Sequence, residues 1–275
     1  MECARIWVDM KRIGFTLVEL LVVIAVIAIL VAMALPVASV VKQRAKAVMC
    51  KSNLKQLSMA LTVYEHENGI FPNGFDSVSI NPPPGDYPGD HVYDFMGWWW
   101  FHSLLGTLGK DLSEKSVFWC PARNVRENSP KPNVLCGNYG VNRDVCKDAQ
   151  EMGNNEFFGA PLGLDQIPRP SQTMLLLDSG YSLISWWGAT NAIALGKPFE
   201  NTQREGCFYV PGCKINKKRV ISPGFELDAL NGRHPNRTVN VAFADGHSSR
   251  LKADDLFVEK IGDNYTNRTP LWLPE

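Results

Sequence analysis

No charge of either sign dominates this chain: lysine plus arginine and aspartate plus glutamate each number 28, for a formal net charge of zero. A nucleic-acid backbone is held chiefly by a cationic excess that displaces its counterions, so nucleic acid is a poor partner. The seven cysteines, Cys3, Cys50, Cys120, Cys136, Cys146, Cys207 and Cys213, include no Cys-x-x-Cys pair, which argues against a zinc or dithiol redox centre. Gly-x-Ser-x-Gly and His-Glu-x-x-His are also missing. His234, Asp245 and His247 therefore lack a recognisable nucleophile or metal scaffold to work with, and the chain reads as non-enzymatic, with no cofactor. The 275 residues are 45% hydrophobic and 20% charged, an ordinary globular balance once a single apolar stretch is set aside.

That stretch is FTLVELLVVIAVIAILVAMAL, residues 15–35, broken by one charge, Glu19. As a helix it spans about 30 Å, the hydrocarbon thickness of a bilayer. Its apolar residues cover every face, unlike the single stripe of a core helix. A secretory signal has a shorter apolar core and an Ala-x-Ala-like end, so the segment reads as a retained anchor. Arg5, Lys11 and Arg12 precede it, and Lys42, Arg44, Lys46, Lys51 and Lys55 follow it. That count alone would keep the C-terminal side inside. A cysteine-rich remainder favours an oxidising compartment, however, and long domains cross largely regardless of charge. Glu19 is the anomaly, because a carboxylate near mid-bilayer costs on the order of 2.5–3.5 kcal/mol and needs a cationic partner. Cleavage between Gly14 and Phe15 would create an amine about one helical turn away, on this chain or on a neighbour.

Lys11-Arg12-Ile13-Gly14 followed by FTLVELLVVIAVIAIL resembles the processing site and anchor of type IV prepilins and type II secretion pseudopilins. The resemblance implies cleavage after Gly14 by a prepilin peptidase, methylation of the Phe15 amine, and Glu19 as the assembly carboxylate. It also implies a kink or local melting at Pro36, where the amide donor is missing. The chain then divides into a leader (1–14), a transmembrane assembly helix (15–36), an amphipathic continuation (37–69) and an exported β-rich domain (70–275). The expected fold is α+β and pilin-like: a long N-terminal helix packed on an antiparallel sheet with disulfide-stapled loops. The expected location is the bacterial inner membrane, single-pass, with the domain periplasmic or displayed on a filament. The expected partners are prepilin peptidase, the inner membrane and like subunits of a type IV pilus-like or type II secretion-like filament.

Beyond Pro36, Cys50, Leu54, Leu57, Leu61 and Tyr64 recur at helical spacing and predict one buried face. Gly69 and Pro72 predict the helix end, and EHENGIFP there resembles the helix end of major pseudopilins. Residues 74–94 are dense in proline and glycine, as in a surface loop. The run 173–177 reads as a buried strand, and Val239, Val241 and Phe243 alternate as in another. Asp245-Gly246 suits a two-residue hairpin turn with a return strand through Arg250 and Leu251.

Cys120-Pro121 and the segment Asn138-Tyr139-Gly140-Val141-Asn142 resemble the Cys-Pro and Tyr-x-x-Asn pattern of a large pilin-like subgroup. GRHPNRTVNVAFADGHSSRL resembles that subgroup's ending, in which a histidine precedes Asp-Gly by nine residues. His234, Asp245 and Gly246 match it, with a gap of ten and the extra residue placed in 235–237. Major pseudopilins bind calcium in a C-terminal loop, which makes Asp245, Asp254 and Asp255 candidate ligands, although no twelve-residue calcium loop is present. Removal of Cys3 with the leader leaves six cysteines, and Pro211-Gly212 makes Cys207 with Cys213 a candidate disulfide. Trp98, Trp99 and Trp100 are read as core or subunit contact. With Trp186-Trp187 they also supply the rival reading, a membrane-anchored or filament-displayed adhesin that stacks polysaccharide.

Overall fold

The computed structural model describes residues 16–76, 97–127, 133–149, 157–191, 205–262, 264–266 and 272–273. The leader, Gly14 and Phe15, and most of the expected 74–94 loop lie outside them. The chain separates into two compact units, Met1–Lys42 and Gln43–Glu275.

One helix, α1 (Leu17–Asn68), runs for 52 residues. It starts with a capping box: the Thr16 amide and hydroxyl both donate to Glu19 Oε2 at 2.8 Å, and the Glu19 amide donates to Thr16 Oγ1 at 3.2 Å. The reciprocal bonds satisfy donors that a helix start otherwise orphans. The helix ends at Gly69, which takes φ +76° and donates its amide to Glu65 O at 2.7 Å. A positive φ there costs glycine little. Of the kink or local melting expected at Pro36, melting is not seen: the helix runs unbroken through it. Proline removes one ladder bond, and the Ser39 hydroxyl donates to Pro36 O at 2.8 Å.

From Gln43 onward the helix belongs to the globular unit. Ala47, Cys50, Leu54, Leu57, Ser58 and Leu61 are buried there, at the three- and four-residue spacings that line up one helical face. Strand β1 (Phe75–Asp76) pairs antiparallel with β2 (Trp98–Trp99), and a one-turn helix, α2 (Leu105–Leu108), follows. The main sheet contains β3 (Tyr139–Asn142), β4 (Met174–Asp178), β5 (Leu183–Ile184), β6 (Thr238–Phe243) and β7 (Ser248–Lys252), in the order β5-β3-β4-β6-β7. The short helix α3 (Glu226–Asn231) precedes β6. All sheet neighbours are antiparallel except the edge pair β3 and β5. A separate antiparallel ribbon joins β8 (Glu259–Ile261) to β9 (Asn264–Thr266).

Both faces of the sheet are covered. Ala242 and Ala244 share a buried cluster with Cys50, Leu54, Leu57 and Leu61 of α1. Val239, Val241 and Phe243 join Val210, Ile215, Leu256 and Trp272 in a second cluster. This two-sided burial is why the 174–177 run is continuously apolar rather than alternating. At Gly140 an added Cβ would lie 2.5 Å from Tyr181 O, so only glycine admits the neighbouring backbone there.

The hairpin between β6 and β7 departs from the expected two-residue turn. The Gly246 amide donates to Phe243 O and the Phe243 amide to His247 O, both at 2.9 Å, and Gly246 takes φ +85°. Three residues, 244–246, therefore make the turn, with glycine in the left-handed position that a three-residue hairpin requires.

Candidate functional site

Two features of the chain lie outside ordinary domain packing. The first is the N-terminal half of α1. Seventeen large apolar side chains between Leu17 and Val41 are exposed, Leu17 at 78% and Leu30 at 61%. Fully burying one such side chain is worth roughly 1.5–3 kcal/mol, so a half-exposed surface of this extent gains on the order of 10–25 kcal/mol when it leaves water. The helix is long and apolar enough to cross a membrane, and the one acid of its N-terminal half, Glu19, is held by the Thr16 cap.

The second is a buried polar cluster beside β4 and β6. Arg233 and Asp228 are both fully buried and meet fork to fork: Nε donates to Oδ1 at 3.0 Å and Nη2 to Oδ2 at 2.6 Å. The remaining guanidinium donors reach Asn138 O at 2.7 Å and Ser179 O at 2.9 Å, and the Tyr209 hydroxyl donates to Asp228 Oδ2 at 2.9 Å. Next to this pair His234 Nε2 lies 3.0 Å from Asp178 Oδ2, which also accepts the Asn240 amide at 2.6 Å. Burial alone would lower the His234 pKa, but the charge and hydrogen bond of Asp178, with help from Cys120, raise it to about 9. Burial would likewise raise Asp178; the imidazolium of His234, then Arg233 and the Asn240 amide, hold it below the usual carboxylate range instead. Opposite charges at this distance favour both charged forms. His234 is thus imidazolium at neutral pH and donates to Asp178.

The cluster also ties the helix to the sheet. Arg250 of β7 donates to Asn240 Oδ1 at 3.1 Å and to Ala47 O of α1 at 2.7 Å. The Tyr139 hydroxyl donates to Cys50 O at 3.3 Å. Asn138 accepts the Cys120 amide at 3.0 Å, and Asn142 donates to Met174 O at 2.9 Å and Trp272 O at 2.7 Å. The segment 138–142 therefore fastens α1, β4 and the backbone at Trp272 through side-chain to backbone bonds.

His234 and Asp245 are not brought together. Asp245 sits in the exposed hairpin, where Oδ1 accepts the His247 amide at 3.1 Å and lies 2.6 Å from His247 Nδ1. The His247 ring stacks on Phe243 with centroids 4.2 Å apart. Between His234 and β6, Asn236 and Arg237 both take positive φ, 59° and 54°, a local crowding of the 235–237 loop. Asp254 accepts the Lys214 amide at 2.7 Å and faces Arg237, while Asp255 accepts the Lys252 amide at 3.3 Å. The three candidate calcium ligands serve three separate backbone contacts. Among the described residues the one group of three metal-capable side chains is Cys50, Cys120 and His234.

Trp99 and Trp100 are each 2% exposed and belong to the core. Trp98 is half-buried and lines a shallow cleft with Tyr64, Asp76 and Ser103. Trp186 is buried and Trp187 half-buried. The three-tryptophan stacking platform is therefore reduced to one ring. The expected Cys207–Cys213 pair is not formed either. Cys207 packs in the α1-side cluster and Cys213 in the opposite one, and the side chain hydrogen-bonded to Cys207 is that of Cys136. Pro211-Gly212 turns the chain, but the main sheet's two separate cores draw the cysteines apart.

The described residues thus combine one apolar helix long enough to cross a membrane with an α+β domain whose main sheet is covered on both faces. Residues 9–35 match the prokaryotic N-terminal methylation motif. Over 79 residues, 29% of this chain, the sequence is 35% identical to two type IV major pilin proteins, both PilE1 of Neisseria gonorrhoeae, covering 48% and 44% of their lengths. The chain thus spans less than half of those curated relatives. No solved structure matches it significantly. The motif and the likeness support a type IV pilin-like, structural subunit.

Proposed function

We propose that this chain is a structural subunit of a type IV pilus-like or type II secretion-like filament. Prepilin peptidase cleaves after Gly14, the Phe15 amine is methylated, and the mature chain waits in the inner membrane with its domain outside. On assembly the apolar halves of neighbouring helices bundle, and Glu19 exchanges its Thr16 cap for the amine of an adjacent subunit. The observation that carries this reading is the seventeen-side-chain apolar surface lying within and just beyond a methylation motif. Bilayer and helix bundle are both apolar enough to receive it, so transfer between them leaves the hydrophobic term nearly unchanged. Polar partners then decide the outcome.

The test is Glu19→Ala in the native host, followed by sedimentation of sheared polymer. We expect a processed chain that stays in the membrane and is depleted at least tenfold from the polymer. Normal incorporation of processed Glu19→Ala would remove the carboxylate from the mechanism. Gly14→Ala separates the earlier step, because it should retain the leader, visible as a mass increase.

A further inference from the structure

Cys50 projects from the domain half of α1, and Cys120 opens the Cys-Pro turn; both sulfurs are buried and lie 2.6 Å apart. Non-bonded heavy atoms settle at about 3.5–4.0 Å even between carbons, which are smaller than sulfur. Thiol contact therefore does not account for the spacing. Metal ligation does not account for it either. The His234 ring completes a group whose ligand atoms all fall within 4.8 Å, but two thiolates on one zinc at about 2.3 Å each stand roughly 3.8 Å apart in tetrahedral geometry. The sulfurs are too close to hold an ion between them.

We propose that Cys50 and Cys120 are joined as a cystine in the exported protein, a covalent bolt between α1 and the sheet-bearing domain. The two thiols give up two protons and two electrons to the disulfide of an exported thiol oxidoreductase. One S–S bond forms in this chain as the oxidoreductase's own disulfide is reduced to a dithiol.

The surroundings suit a neutral cystine. Burial, and then the hydrogen bond from Cys50, push the Cys120 thiol well above its ordinary range, with His234 opposing. A thiol held this way resists forming the attacking thiolate, so the bond forms before the site closes and is shielded from reductants afterwards. The Cys120 amide is fixed by Asn138 at 3.0 Å and the Cys50 carbonyl by the Tyr139 hydroxyl at 3.3 Å. Both ends of the bridge are therefore oriented by the 138–142 segment that follows Cys136. The consequence is mechanical: tension on the anchor reaches the β-core through a covalent bond as well as through packing. The inference needs the domain to lie in an oxidising compartment, but it does not need the chain to polymerise.

The test uses the full-length chain from native membranes, quenched in acid, denatured with a chelator present, alkylated without reduction, digested and mapped by mass spectrometry. We expect the Cys50 and Cys120 peptides to be crosslinked, two hydrogens lighter than their sum, and to separate only after reduction. Cys50→Ser should turn Cys120 into an alkylated thiol. Both cysteines alkylated on separate peptides of the wild-type chain would overturn the cystine. One equivalent of zinc in the undenatured protein, with both thiols alkylated after chelation, would overturn it in favour of a metal site. The same map reads the N-terminus. An unlinked pair on a chain starting at Phe15 rejects the bolt and spares the filament reading, and a linked pair on a chain retaining its leader does the reverse.

Discussion

Residues 17–42 and 43–68 are parts of one unbroken helix, yet they solve opposite problems. The first part shows apolar side chains on every face and buries none of them. The second buries a single stripe, from Ala47 through Leu61, against a sheet whose other face is also covered. Their polar groups differ in the same way. The anchor's one acid is answered locally by Thr16, three residues away. The domain's buried charges draw on distant partners as well: His234 meets Asp178, 56 residues away, and Arg233 meets Asp228, only five residues back, together with carbonyls 95 and 54 residues away. A local cap can be exchanged for an incoming partner at little cost. A buried network of paired charges cannot be opened so cheaply. The helix therefore has an exchangeable end and a fixed end.

The contrast can be broken most severely at the fixed end. Asp228→Ala leaves Arg233 buried without its carboxylate and should cost about 3–5 kcal/mol, read as a fall in the denaturation midpoint of the detergent-solubilised chain. Leu57→Ala empties a fully buried site of α1 and should cost about 2–5 kcal/mol. If Leu57→Ala were neutral, the domain half of α1 would not be packed as described.

The pH profile gives a finer test. The folded pKa of His234 is about 9 against an ordinary 6.5. The pair's stabilisation is thus complete below pH 6.5 and is lost as pH rises through 9. Asp178 is depressed from 3.8, so its contribution is present above that pH and is lost as pH falls further. The midpoint should stay level between pH 3.8 and 6.5, fall from pH 6.5 toward 9 and fall again below 3.8, and His234→Gln should flatten the alkaline decline. A midpoint that rises between pH 7 and 9 would contradict the imidazolium assignment. Gly246→Ala places a side chain at φ +85° and should cost about 1–2 kcal/mol. Smallest of all, Leu30→Ala in the anchor half should move the domain's midpoint by less than about 0.5 kcal/mol.

Local patterns were legible in the sequence because their causes are local. The apolar run, the stripe from Cys50 to Leu61, the stop at Gly69 and the strands around Val241 all follow from periodicity and turn chemistry. Thr16-Leu17-Val18-Glu19 is also a local signal, a capping box that the charge of Glu19 overshadowed. What stayed hidden was pairing at a distance. Nothing near Asp178 in the chain announces His234, 56 residues on, although an acid ending a continuously apolar run was a hint that it would be buried. The cysteines show the same limit. A turn between Cys207 and Cys213 suggested a bridge, but the sheet puts the two on opposite sides, while Cys50 and Cys120 meet across seventy positions. The tryptophans follow the same logic, since three adjacent rings cannot all face water when β2 pairs with β1 and turns its second residue inward.

The central claim is that the exposed half of α1 is a processed assembly element. Intact mass spectrometry of the chain taken from its native membrane tests it most directly. The account predicts a polypeptide that begins at Phe15 and carries one added methyl group. A polypeptide that still begins at Met1, with an unmodified amine, would contradict it.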